Sequence, residues 1–404
     1  MTRQFNEKKL PLGEFVALVA LMFSLVAMSI DAMLPALPAI GADLAVADAN
    51  DTQLVVASLF FGLAFGQLLA GPLSDSFGRK PIIYAGFFLF MGGCLLSIFA
   101  PSFEWMIAGR VLQGFGAASP RIVTIALVRD LYEGRAMARV MSFALSVFIL
   151  VPALAPTMGQ GILVFAGWRA IFTTFVLIAL ITSVWFALRQ PETLTLERRS
   201  AFSVRRILIA AREVCTTRSA IGYTLATGLI FASFVGYLSS AQQIFQVTYR
   251  LGEWFPAYFA ALAISIGSAS VVNGRLVIRH GMHKISNAAI RTLTGLSLLF
   301  LIVAWTLGGL PPLWLFMTFF ISMFFCVGLL FGNLNALSME PLGHIAGVGA
   351  SVVGFVATLI SVPIGAAIGQ AYDGTVMALA GGFSVFAAAA LIAMRWAQDE
   401  NRKT

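Results

Sequence analysis

Long apolar runs constrain this chain more than any other feature. Stretches of about 20 apolar residues, the length that crosses a bilayer core as a helix, recur from end to end. They lie at 13–37, 53–74, 82–100, 104–128, 138–164, 169–188, 219–248, 255–277, 288–308, 312–336, 346–371 and 375–395. The runs are continuous rather than alternating, so they read as helices and not as barrel strands. Charged residues make up 11% of the 404 residues, against roughly 25% in an ordinary soluble protein. So little charge cannot cover a water-exposed surface, which excludes a soluble enzyme and a disordered chain. The expected fold class is an all-α integral membrane protein of twelve transmembrane helices. The first run exceeds a signal-peptide core and lacks a small-residue cleavage site, so it reads as a span.

Orientation follows from lysine and arginine. With both termini in the cytoplasm, 22 of the 26 basic residues fall on the cytoplasmic side, including Arg3, Lys8, Lys9, Arg135, Arg402 and Lys403. The outer ends hold Arg169 and Arg250, and Arg110 and Arg121 lie inside the fourth span. The net charge of +8 is therefore a topology signal, and no nucleic-acid partner is expected. The cysteines, Cys94, Cys215 and Cys326, match no metal or redox spacing.

The polar break 189–218 divides the chain into a first bundle, 1–188, and a second, 219–404, with a basic cytoplasmic linker between them. The halves echo each other. Gly71, Leu73 and Gly78 align with Gly274, Leu276 and Gly281 at a constant offset of 203. Two repeated six-helix halves are the build of an alternating-access carrier, with its substrate site between them.

Gly71-Pro-Leu-Ser-Asp75-Ser-Phe-Gly78-Arg79-Lys80 resembles the loop 2–3 signature of the major facilitator superfamily. Three further stretches resemble its drug:proton antiporters of the bicyclomycin/chloramphenicol-resistance branch: Ile30 to Pro38 in span 1, Arg110 to Ala118 in span 4, and Pro152 to Gly159 in span 5. Tyr237 to Gln242 is similar to the family's span 7 run, with Gln242 in place of proline. The resemblance implies a multi-pass protein of the bacterial inner membrane, in the major facilitator fold. It further implies exchange of inward protons for outward phenicol- or bicyclomycin-type drugs, and a monomer with no bound cofactor, driven by the proton gradient. Proton-coupled transport of another metabolite, import included, shares the same fold.

Ionisable side chains deep in a span are costly and mark functional positions. Here they are Asp31, Arg110 and Arg121. Asp31 lies seven residues before Pro38, and Arg110 six after Glu104. At about 1.5 Å per residue both sit roughly 9–10 Å below the outer surface. Sharing a depth, they can pair, either as a proton-coupling site or as a structural ion pair. Gln113 belongs to the same stretch of span 4. Arg121 follows Arg110 by eleven residues, close to one helix face. It either lines the inner part of the cavity or snorkels to the inner surface. Ser239, Gln242, Gln243 and Gln246 make a helical stripe. With Tyr237 they either bind substrate or bond neighbouring helices.

The loop after span 2 reads as a gate. Asp75, amid Arg79, Lys80 and Arg129, can cap a helix N-terminus in the other half and pair with Arg129. Pro152 and Pro156 remove backbone donors and should bend span 5, which the resemblance makes part of the interface between halves. In the second copy Ile278 stands where Asp75 would be, so the lock is one-sided. His280, His283 and His344 fall in cytoplasmic loops and no phosphate-binding motif occurs, so an enzyme is not expected.

Overall fold

The computed structural model describes residues 10–399, without the side chains of 135, 138, 142 and 145–149. The terminal basic residues Arg3, Lys8, Lys9, Arg402 and Lys403, and the Arg135 side chain, lie outside the described residues. The regular structure among the described residues is all helical. The first half contains α1 (Leu12–Asp31), α2 (Leu37–Asp43), α3 (Leu54–Phe77), α4 (Arg79–Ile98), α5 (Phe103–Leu131), α6 (Gly134–Ala166) and α7 (Trp168–Arg189). After the linker helix α8 (Val204–Thr216) come α9 (Arg218–Leu238), α10 (Phe255–His280), α11 (Met282–Thr306), α12 (Leu313–Met339), α13 (Ala346–Gln370) and α14 (Met377–Gln398). Among the described residues ten stretches are long and apolar enough to cross a membrane. One of them, Leu313–Gln370, is divided into α12 and α13 by a turn at Glu340–Ile345. The 33-residue α6 passes through Pro152 and Pro156 without a break in its helix.

Two expected spans differ from single α-helices. The first ends as α-helix at Asp31 and continues through a 3-10 turn, Leu34–Ala36, into α2. Pro35 and Pro38 each lack a backbone donor, so an α-helix cannot run through them undisturbed. The seventh ends at Leu238, turns, and resumes as a π-helical segment, Gln243–Thr248. Its wider register dissolves the regular stripe expected from Ser239 to Gln246. The linker also carries more structure than a polar break. Ser203 caps α8 by accepting the Arg206 amide at 3.3 Å, and Ile207, Ala210 and Val214 form its buried face.

Within the first half α5 packs closely on both α3 and α4, because glycines line both seams. A Cβ on Gly62 would overlap the Val111 carbonyl, one on Gly114 the Leu59 carbonyl, and one on Gly93 the Gln113 amide. In the second half α9 packs against α13 and α14. The halves meet along α3 against α13 and α6 against α10. That seam places the ends of α1 and α9, with the polar residues expected there, between the two halves.

Candidate functional site

Asp31 is the last residue of α1 and only 5% exposed. The helix stops there because the proline-bearing turn follows, and the stop is braced from α6: a Cβ on Gly159 would overlap the Ala32 carbonyl. The antiporter-like stretch of span 5 therefore seats the backbone beside the acid. Among the described residues no donor or cation bonds the Asp31 carboxyl.

Arg110 is fully buried, and it does not pair with Asp31 as its depth suggested. Its Nη2 donates to the Ser29 carbonyl at 2.9 Å, its Nε to the Val55 carbonyl at 2.9 Å, and its Nη1 to Gln113 Oε1 at 2.6 Å. Ser29 lies in the last turn of α1, where carbonyls lack intrahelical partners. The guanidinium fork satisfies that orphan and ties α1 and α3 to α5. Gln113 in turn donates to Cys94 Sγ at 3.1 Å, and the Phe172 ring lies 5.9 Å from the guanidinium carbon. Among the described residues Asp31 and Arg110 are thus not bonded to each other, and the guanidinium instead joins three helices.

The second half presents an aromatic surface to the first. The Tyr237 hydroxyl of α9 is buried without a partner. The Tyr237 ring packs 4.8 Å edge-on to Phe324 and 5.7 Å from a stacked Phe259. Phe60 of α3 meets Phe231 of α9 at 5.5 Å, and Phe65 meets Phe355 of α13 at 5.3 Å. Sequence reasoning left these rings unnamed, since phenylalanines facing lipid have the same local pattern.

The polar run after Tyr237 joins the halves beside the start of α3. Gln53 Nε2 donates to Gln242 Oε1 at 3.3 Å, and Gln243 Nε2 to Asn50 Oδ1 at 2.6 Å. Gln242 donates within its own segment to Gln246 at 2.9 Å. The Ser239 hydroxyl is buried and unpartnered. Arg121 is half-buried, with no carboxylate within ion-pair distance among the described residues. Gly114 and Ala117, between it and Arg110, are buried, and Gly114 packs against α3. That part of the stripe is a packing seam.

At the turn between α3 and α4 Asp75 pairs with Arg79, and Arg79 Nε also bonds Asp130 Oδ2 at 2.9 Å. The expected Asp75–Arg129 pair is absent among the described residues. Arg129 is exposed, and Arg79, folded back by the turn at Gly78, reaches Asp75 first. Glu192 of the linker caps α4, accepting the Arg79 and Lys80 amides at 3.0 Å each. The Lys80 ammonium rests between the Tyr84 and Phe186 rings at 5.8 and 5.9 Å. Asp75 does face a helix N-terminus of the other half: its Oδ2 lies 3.8 Å from where a Gly347 Cβ would stand, in the first turn of α13. It makes no capping hydrogen bond there.

A family model described as the Major Facilitator Superfamily matches residues 19–369. The chain belongs to the major facilitator superfamily. It is 30% identical over 360 residues to the uncharacterized MFS-type transporter YdgK of Bacillus subtilis, covering 88% of this chain and 87% of that one. A bicyclomycin resistance protein homolog of Haemophilus influenzae is 28% identical over 359 residues, 88% of each. A chloramphenicol resistance protein of Pseudomonas aeruginosa is 28% identical over 360 residues, 83% of this chain and 81% of that one. Among solved structures, the xylose transporter XylE of Escherichia coli superposes with a TM-score of 0.71 at 14% identity, over 95% of this chain and 97% of that one.

The protein is therefore a multi-pass membrane transporter, and its likeness to the bicyclomycin- and chloramphenicol-resistance branch holds along most of its length. In this member of the superfamily Gln242 and Gln243 bond Gln53 and Asn50 across the halves, whereas Arg110, Gln113 and Gly114 join helices within the first half. Sequence reasoning missed Cys94, Asp130, Glu192 and Asn50. Glu192 had a signal, an acid in the linker opposite a helix start. The others had none, because their roles depend on which helices become neighbours.

Proposed function

We propose that this transporter exports small amphiphilic compounds of the phenicol or bicyclomycin type from the cytoplasm of a bacterium, exchanging them for inward protons by alternating access. It works in the inner membrane as a monomer, with twelve spans and both termini cytoplasmic. Counting the two parts of Leu313–Gln370 separately and adding α6 to the ten candidate spans supports that number. The names of its relatives support the substrate class.

The observation that carries proton exchange is Asp31. It is a buried acid at a helix break between the halves, with no basic partner among the described residues. An acid so placed can hold a proton when the cavity is empty and lose it when substrate arrives. Arg110 supports the cycle from behind by fixing the carbonyls of α1 and α3.

The test is a drug-susceptibility panel on an efflux-deficient host expressing the chain, with and without a protonophore. Resistance that disappears with the protonophore is the expected result. Asp31→Asn should insert normally and abolish uphill efflux. In the parent, drug binding should strengthen as pH rises through the Asp31 titration and release a proton. In Asp31→Asn binding should be flat over that range. Full uphill efflux with a parent-like pH profile in Asp31→Asn would move coupling to another group.

A further inference from the structure

The two ends of α13 each face a residue at one end of α3. Asp75, near the end of α3, faces the amide end of α13. Asn50, just before α3, holds the carbonyl end. The last carbonyls of a helix lack intrahelical donors. Asn50 Nδ2 donates to the Gln370 carbonyl at 3.0 Å and to the Tyr372 carbonyl at 2.9 Å. In return Gln370 Nε2 donates to the Asn50 carbonyl at 3.0 Å, and Gln243 Nε2 to Asn50 Oδ1 at 2.6 Å. One residue of the first half thus makes four hydrogen bonds to three residues of the second. Its own position is set locally: its amide donates to Asp48 Oδ1 at 2.8 Å, and its carbonyl also accepts the Gln53 amide of the turn that begins α3, at 3.0 Å.

We propose that Asn50 is the outer latch of the transporter, closing the path to the outside by binding the C-terminal end of α13. The inference rests on the alternating-access reading and adds its outer gate. Rocking the second half away from α3 at the outer end must break all four bonds together. The contact of Asp75 with the other end of α13 can persist meanwhile. Opening to the cytoplasm breaks the Asp75 contact and leaves the Asn50 cluster intact. The chemistry asks for a primary amide. Alanine removes both the donors and the acceptor, and aspartate places a carboxylate against two carbonyl oxygens.

The test uses the full chain in intact cells, with Cys94, Cys215 and Cys326 replaced and a reporter introduced as Ser239→Cys, at a position 1% exposed. A membrane-impermeant maleimide is added from outside. Asn50→Ala should label at least about fivefold faster than the parent and Asn50→Asp faster still, whereas Asp75→Asn should label no faster. A second arm joins Asn50→Cys to Gln370→Cys with a short reducible cross-linker. The linked protein should label at the parent's slow rate and stop transporting, and reduction should restore transport. Parent-like labelling in both Asn50 variants, or undiminished transport by the linked protein, overturns the latch. Labelling needs no substrate, so it fails or succeeds independently of the export reading.

Discussion

The loop joining α3 to α4 and the loop joining α10 to α11 share a backbone and differ in chemistry. The helices end at Phe77 and His280 and resume at Arg79 and Met282. A single glycine stands between them, Gly78 at φ 106°, ψ 160° and Gly281 at φ 78°, ψ 153°. Around Gly78 gather Asp75, Arg79, Asp130 and Glu192. The matching position to Asp75, Ile278, is 89% exposed, and the charged contact found at the second loop among the described residues is His283 with Glu340 at 3.7 Å. A repeat has kept the turn, which depends on a backbone conformation that glycine tolerates best, without keeping the gate, which depends on side chains. The same division runs through the whole molecule. The first half buries Asp31 and Arg110, while the second buries rings around Tyr237.

The sharpest break of that comparison is a pair of substitutions, one in each half. Arg110→Ala leaves the Ser29 carbonyl and Gln113 Oε1 without their donor in a dry interior, while the Val55 carbonyl keeps the Ser58 hydroxyl. At roughly 1–3 kcal/mol for each orphaned group, stability should fall by about 2 kcal/mol or more, and transport should fail with it. Tyr237→Phe removes a hydroxyl that is already unpartnered, so its stability should match or slightly exceed the parent's. Melting in detergent micelles measures both. Arg110→Ala melting within about 2 °C of the parent would mean that the fork is not a clamp.

How much of this was legible in the sequence differs by level. The apolar runs and the offset of 203 carried the architecture, because length and repetition are one-dimensional properties. Asp31 and Arg110 were legible as charges at membrane depth. Their pairing was not, because equal depth says nothing about direction around a helix, and the carbonyls that hold Arg110 leave no trace in residue types. The α8 helix had a signal, Ile207, Ala210 and Val214 at helical spacing, hidden among seven arginines. The π-helical turn at Gln243–Thr248 and the role of Asn50 had none. Both depend on where α13 ends in space.

The two glycines sharpen the comparison further. Gly78→Ala and Gly281→Ala both force a residue with a Cβ into an extended positive-φ backbone that essentially only glycine adopts, at about 1–3 kcal/mol each. They should not cost the same. A Cβ on Gly78 would lie 2.7 Å from Glu192 Oε2 and 2.8 Å from Arg199 Nη2, whereas one on Gly281 meets nothing within 4 Å. Gly78→Ala should therefore be the less stable of the two and the slower in transport, because shifting Glu192 uncaps α4. Equal melting temperatures would show that the charged cage adjusts freely.

Asp75→Asn acts on the gate alone. The Asp75 side chain is 36% exposed, and ion pairs of that kind contribute about 0–1 kcal/mol, so the fold should survive with little change. The cycle should slow while substrate binding persists, because Asp75 faces the end of α13 and not the space beside Asp31. Lost binding in a well-folded Asp75→Asn protein would make it a site residue.

The smallest effect is expected from restoring the missing acid. Ile278→Asp gives the second loop the side chain that its counterpart carries, with Arg275 and Arg279 close in sequence. If the acid alone made a gate, this change should create one, and transport should slow. The structure argues otherwise. Ile278 points into open surroundings, so a carboxylate there would stay solvated, and a screened pair with either arginine contributes about 0–1 kcal/mol at most. The first loop's acid acts because Gly78 folds Arg79 back onto it, Asp130 fixes Arg79, and the first turn of α13 lies opposite. None of those partners is introduced by one substitution. Ile278→Asp should therefore change stability by no more than about 0.5 kcal/mol and leave the transport rate at the parent's value. A slowed cycle, relieved when Arg279 is also changed to Gln, would show that the second copy holds a latent lock needing only its acid.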